Sequence, residues 1–213
     1  MKKIDYSLYL VCDRALSCGR SHVDIVGAAV TGGVSCVQLR EKLCSTREFL
    51  DQARALLTLL RPRGIPLIIN DRLDIALAVG ADGVHLGQDD LPIDMARRLA
   101  GERMIIGISA ESVEHAVAAE RAGADYLGIS PVFATTTKQG HAPPLGLAGI
   151  SAIRAHTTIP LVGIGGINAD NAAAILAAGA DGIAVVSAIV AAADPAAAAC
   201  ALRRSCSPTK IHS

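Results

Sequence analysis

The segment VQLREK at positions 37–42 alternates Gln38, Arg40 and Lys42 with Val37, Leu39 and Glu41. On a β-strand, side chains two apart share a face. One face of this segment therefore presents an amide, a guanidinium and an ammonium. Arginine offers a bidentate fork and lysine a compact charge, a pair suited to an anion with several oxygens. Farther along, PLIIND and GQDD bring Asn70 with Asp71, and Asp89 with Asp90. Two hard carboxylates near phosphate oxygens suit Mg²⁺, which is usually held by few protein ligands plus substrate and water. A rim salt-bridge cluster would use the same residue types. In GIGGIN, Gly165 and Gly166 stand just before a predicted helix. Bare N–H groups and a helix start make an anion seat, although paired glycines also serve a tight turn.

These residues need a frame that brings them together. The phrases VGADGVHLG (79–87), AGADYLGIS (122–130) and AGADGIAVVS (178–187) repeat one pattern, with a looser copy in TGGVSCVQLR (31–40). A helix ends, glycine supplies a left-handed cap, and an apolar run makes a buried strand. Eight such runs fall at 8–12, 35–40, 66–70, 83–87, 104–109, 126–130, 160–165 and 182–187, with amphipathic or Ala-rich stretches between them. Asn168 is the expected N-cap of the helix in NADNAAAILAA. The pattern predicts an α/β chain forming a single (β/α)₈ TIM barrel; an open doubly wound sheet is the alternative. One catalytic domain is expected over 1–206, with a disordered tail at 207–213.

Barrel enzymes place their chemistry at the C-terminal strand ends. Gln38, Arg40, Lys42, Asn70, Asp71, Asp90, Ser109, Gly166, Val186 and Ser187 all fall at or just beyond such ends. The loops after strands 7 and 8 are the fold's usual phosphate site. The loop 131–146 carries Thr135, Thr136, Thr137 and Lys138. Loops this long in a compact domain are commonly functional lids, though some are surface excursions. Hydroxyls there suit phosphate, and Lys138 suits a leaving anion. Two anion seats across one barrel mouth imply phosphorylated small-molecule substrates.

Composition narrows the classes. Hydrophobic residues are 51% of the 213, which argues against disorder, and aromatics are 2%. Twenty Lys plus Arg balance twenty Asp plus Glu, so a general nucleic-acid binder is not expected. The longest uncharged apolar run, 182–193, is too short to span a bilayer. None of the six cysteines has C-x-x-C spacing, and MKKIDYSLYL has no signal-peptide core, so reduced thiols in the cytoplasm are expected. The Ala-rich stretch ADPAAAACALRR offers a face to a second copy of the chain or simply covers the barrel. His85 reads as a satisfied core histidine more than a catalytic one, and His141 lies in the lid loop. His22, His115, His156 and His212 read as surface residues, and no nucleophilic triad stands out at the strand ends.

The stretches YLVCD, VQLREK, IINDRLDIALAVGADGVHLGQDDLP, GADYLGISPVFATTTK, IPLVGIGGIN and GADGIAVVSAI together resemble the thiamine-phosphate synthase family, in the family's order and over nearly the whole chain. The resemblance implies a transferase. Hydroxymethylpyrimidine diphosphate would be joined to a thiazole phosphate, or its carboxylated form, releasing diphosphate. Gln38, Leu39, Arg40, Glu41, Lys42, Asn70, Ser109 and Lys138 would bind the pyrimidine diphosphate, with Arg40, Lys42, Ser109 and Lys138 as the catalytic set. Asp71 and Asp90 would hold Mg²⁺. Thr135, Thr136, Thr137, Gly166, Val186 and Ser187 would bind the thiazole phosphate. Three rivals remain at this point: a thiazole tautomerase of the same superfamily, a phosphosugar isomerase or epimerase, and a ligand-binding regulator. The first and last do not need a diphosphate site, and the second needs an acid–base pair.

Overall fold

The computed structural model describes residues 4–135 and 143–206. Strands β1 (Leu8–Asp13), β2 (Cys36–Arg40), β3 (Leu67–Asn70), β4 (Gly83–Leu86), β5 (Ile105–Ala110), β6 (Tyr126–Ile129), β7 (Leu161–Ile164) and β8 (Gly182–Val185) are parallel and pair in chain order. β8 pairs with β1, which closes the barrel and excludes the open sheet. Helices α1 (His22–Thr31), α2 (Thr46–Leu60), α3 (Leu73–Val79), α4 (Ile93–Ala100), α5 (Val113–Arg121), α6 (Gly146–Arg154), α7 (Ala172–Ala177), α8 (Ser187–Val190) and α9 (Pro195–Ser205) lie around it. The expected (β/α)₈ TIM barrel is the fold, and every predicted strand agrees within two residues at each end.

The repeated joint works as expected, with one addition. Gly33, Gly80, Gly123 and Gly179 all take positive φ at 102°, 64°, 92° and 109°, a region open to glycine at little cost. The aspartate of each G-A-D phrase then clamps the strand before it. Asp82 Oδ2 accepts from Leu67 N at 2.9 Å, Asp125 Oδ2 from Ile106 N at 2.7 Å, and Asp181 Oδ2 from Leu161 N at 2.8 Å. In the looser first copy Ser35 does this work, its Oγ accepting from Leu8 N at 3.1 Å. Each clamp satisfies a backbone donor in the first two residues of a strand.

Apolar residues form two layers. The larger lies between strands and helices and includes Leu8, Leu10, Leu39, Ile69 and Val84. The smaller fills the barrel with Tyr6, Tyr9, Val11, Cys36, Ile68, Ile105, Tyr126, Val162 and Ala184. All three tyrosines of the chain are in this inner layer, with Tyr6 and Tyr126 ring centroids 4.7 Å apart. Glycines on neighbouring strands make the room. A Cβ on Gly107 would lie 2.1 Å from Tyr126 Cζ, and one on Gly128 would lie 2.9 Å from His85 Cε1.

α9 begins at Pro195 under an Asp194 cap and buries Ala199 and Leu202. It packs on α1, so this Ala-rich stretch covers the barrel. Asn168 caps the turn ahead of α7, accepting from Asp170 N and Asn171 N, while Asn171 takes the N-cap position itself. No helix among the described residues is long and apolar enough to cross a membrane. The tail 207–213 lies outside the described residues.

Candidate active site

A cavity of about 590 Å³ opens at the C-terminal strand ends. Gln38, Arg40, Lys42, Asn70, Asp71, Asp90, Ser109, Thr135, Gly166, Val186 and Ser187 all line it. Alternation on β2 explains the first three, since Gln38 and Arg40 share the inner face with the position of Lys42. The same alternation turns Leu39 and Glu41 away. Leu39 is fully buried in the outer layer, and the Glu41 side chain is 3% exposed against Arg14 and His22. Neither side chain lines the cavity, so only their main chain remains to meet a ligand there. Thr136, Thr137, Lys138 and His141 lie outside the described residues.

One wall of the mouth is electrostatic. Arg40 pairs with Asp13, and Lys42 pairs with Asp71. Asp13 ends β1 and is buried, and its second oxygen accepts from Ala15 N at 2.9 Å. It is a site residue the sequence reading missed, because that reading ended the strand at Cys12. Asp71 adopts φ of 62°, a left-handed conformation that aspartate tolerates better than most residues, and its N–H donates to His85 O at 2.9 Å. Asp90 folds back so that Oδ2 accepts from Gly87 N at 2.7 Å, while Asp89 is exposed. Burial, with Asp71 beside it, pushes the Asp90 carboxyl above the usual carboxylate range. A cation between the two acids would relieve that cost.

The opposite wall is neutral. Gly165 and Gly166 have φ of 104° and 64°, and a Cβ on either would come within 3 Å of Pro131 or Ala134 and Phe133. Both glycines line the cavity. Val186 and Ser187 border the same seat after β8.

The floor is a hydrogen-bonded row whose ends, Gln38 and Ser109, belong to the predicted site and whose middle members do not. Gln38 Nε2 donates to Tyr9 Oη at 3.0 Å, Tyr9 and Tyr126 hydroxyls lie 3.0 Å apart, His85 Nδ1 lies 2.9 Å from Tyr126 Oη, and His85 Nε2 lies 3.0 Å from Ser109 Oγ. Burial holds both phenols well above their ordinary range, so they stay protonated. The donor direction along the row depends on the His85 tautomer: with the hydrogen on Nε2, the hydroxyls donate toward Nδ1 and Ser109 Oγ accepts from His85. His85 is thus a partnered interior histidine that also lines the cavity. Its period-two neighbours in sequence, and those of Tyr9 and Tyr126, were the available signal. His115 and His156 are exposed as expected, but His22 is buried, because it starts α1 against Cys12 and Glu41.

Among the described residues no group of three or more His, Cys, Asp or Glu is arranged to hold a metal ion. Asp71 and Asp90 form a pair of donors, and a pair leaves coordination positions to substrate oxygens and water. That matches the sparing protein ligation of Mg²⁺.

A closed (β/α)₈ barrel with a charged wall facing a glycine-built seat across one cavity defines an enzyme that handles phosphorylated small molecules. Residues 8–189 match the family model described as thiamine monophosphate synthase. The chain belongs to that family. It is 56% identical to the thiamine-phosphate synthase of Chloroflexus aurantiacus over 207 residues, covering 97% of this chain and 95% of the relative. The thiamine-phosphate synthase of Albidiferax ferrireducens is also 56% identical, over 92% of this chain and 90% of its own length. A solved structure of a thiamine phosphate pyrophosphorylase from Pyrococcus furiosus superposes with a TM-score of 0.88 at 42% identity, covering 95% and 96% of the two chains.

Proposed function

We propose that this chain is a transferase that makes thiamine phosphate, joining hydroxymethylpyrimidine diphosphate to a thiazole phosphate with release of diphosphate. The observation that supports the reading is that Arg40 and Lys42 line the same cavity as Gly165, Gly166 and Ser187. Arg40 and Lys42 bind the diphosphate, and Gly165, Gly166 and Ser187 bind the thiazole phosphate. A tautomerase or an isomerase has no use for the first seat. Gln38 and Ser109, joined beneath the cavity through Tyr9, Tyr126 and His85, hold the pyrimidine ring.

The reaction breaks the methylene C–O bond, and its electron pair leaves with diphosphate. The pyrimidine amino group delocalises the positive charge left behind. The thiazole nitrogen then gives its lone pair to the methylene carbon, and the charge ends on the thiazolium. Arg40 and Lys42 stabilise charge as it builds on the leaving group, an electrostatic role worth more in a site that excludes water. No general base is needed for bond formation. Asp71 and Asp90 would hold Mg²⁺, which when bound supplies further positive charge to the diphosphate oxygens. Lys42 would then share Asp71 with the ion.

Purified protein incubated with both substrates and Mg²⁺ is expected to form thiamine phosphate, and omission of either substrate or of the metal abolishes it. Product formed without the pyrimidine diphosphate, or no product from the complete mixture, contradicts the reading.

A further inference from the structure

Outside the cavity, between β1, α1 and the end of β2, lies a second polar cluster. Cys12 Sγ is 2.9 Å from His22 Nδ1, and His22 Nε2 is 2.5 Å from Glu41 Oε1. Arg14 Nε donates to the same carboxylate oxygen at 3.1 Å. Gln52 of α2 closes the group, with its amide nitrogen turned to Glu41 Oε1 at 2.9 Å. Cys12 is fully buried, and the His22 and Glu41 side chains are 5% and 3% exposed. Buried groups of this kind persist only when partnered.

The order Cys–His–acid resembles a nucleophilic triad, but the chemistry differs. Burial pushes the Cys12 thiol up to about 12, so it stays S–H. Donation of that hydrogen to Nδ1 leaves Nε2–H facing Glu41, which fixes one tautomer. None of the three side chains lines the active-site cavity. The cluster holds rather than reacts.

What it holds is the stretch between the two cations of the diphosphate seat. Register places Cys12 beside Leu39 and Asp13 beside Arg40. On the inner face Asp13 takes Arg40, and on the outer face the cluster takes Glu41. Lys42 is half exposed and follows directly, so its aim depends on the main chain that Glu41 anchors. We propose that Glu41 is a positioning residue: gripped by His22 and Arg14 on the outer face, it fixes the backbone that points Arg40 and Lys42 at the diphosphate. This rests on the functional reading above and replaces the expectation that the Glu41 side chain touches substrate.

Calorimetric titration tests it without turnover. Inorganic diphosphate with Mg²⁺, and separately the thiazole phosphate, are titrated into wild type, Glu41→Gln, Arg14→Met and the double variant. Arg14 is half exposed, so its variant tests the idea even if Glu41→Gln fails to fold. The diphosphate Kd is expected to rise about tenfold in Glu41→Gln, as for partners that orient a ligand-binding residue. It rises less in Arg14→Met, and the double variant is no weaker than Glu41→Gln alone. Thiazole phosphate affinity stays unchanged throughout. Unchanged diphosphate affinity in Arg14→Met, or equal weakening of both ligands, overturns the proposal. A wild type that binds diphosphate but makes no thiamine phosphate would instead overturn the functional reading and leave this result standing.

Discussion

At the scale of residues, Arg40 carries two duties at once. Its guanidinium lines the cavity, where we propose that diphosphate binds, and also balances the buried Asp13. Arg40→Ala is expected to slow turnover about 10²- to 10³-fold, as when one preorganised donor to a developing charge is removed. It also leaves Asp13 without its partner, so thermal stability falls. Adding Asp13→Asn should restore the melting temperature without restoring the rate. A double variant that recovers both would assign Arg40 a structural role only. The cavity-lining residues of β2 were legible from sequence because alternation on a strand fixes which side chains share a face. Gln38, Arg40 and Lys42 were found this way, and the same rule, carried one step further, turns Leu39 and Glu41 outward. Asp13 was not found because the apolar run was ended at Cys12, and the Tyr9–Tyr126–His85 row was not found because its apolar neighbours made it look like core.

At the scale of elements, the recurring G-A-D joint sets the strands in register. Its glycine was readable as a helix cap, since positive φ has few other occupants. Its aspartate was not, because its partner is a backbone N–H on the preceding strand, far away in sequence. Asp125 shows the cost of losing it, since the carboxylate accepts from Ile106 N and also pairs with Arg97. Asp125→Ala is expected to destabilise the fold by about 1–3 kcal/mol, the usual penalty for an abandoned backbone donor and a lost charged partner. Denaturant titration checks this, and substrate KM values stay at wild-type levels because the clamp lies at the far end of the barrel. A changed KM with unchanged stability would place the clamp in the site instead. Helix starts were less legible: Asn168 was expected to cap α7 but caps the turn before it, and Asn171, three residues on, takes the N-cap position.

At the scale of the molecule, closure of the barrel brings the ends of β2 and β3 and those of β7 and β8 onto one cavity, with β1 between β2 and β8. No local pattern in the sequence states that arrangement. It follows from counting eight alternating units, and the cavity shows what the count implied. The three tyrosines fill the barrel under the site, and glycines on β5 and β6 admit Tyr126 and His85. The two seats we propose both open onto the one cavity above this floor. Both anions should therefore bind at the same time. The decisive measurement is a titration of thiazole phosphate into protein already saturated with Mg²⁺ and inorganic diphosphate. One thiazole phosphate per chain, binding with the diphosphate still in place, is the expected result. Displacement of diphosphate as thiazole phosphate binds would mean a single shared anion seat and would contradict the two-seat mouth.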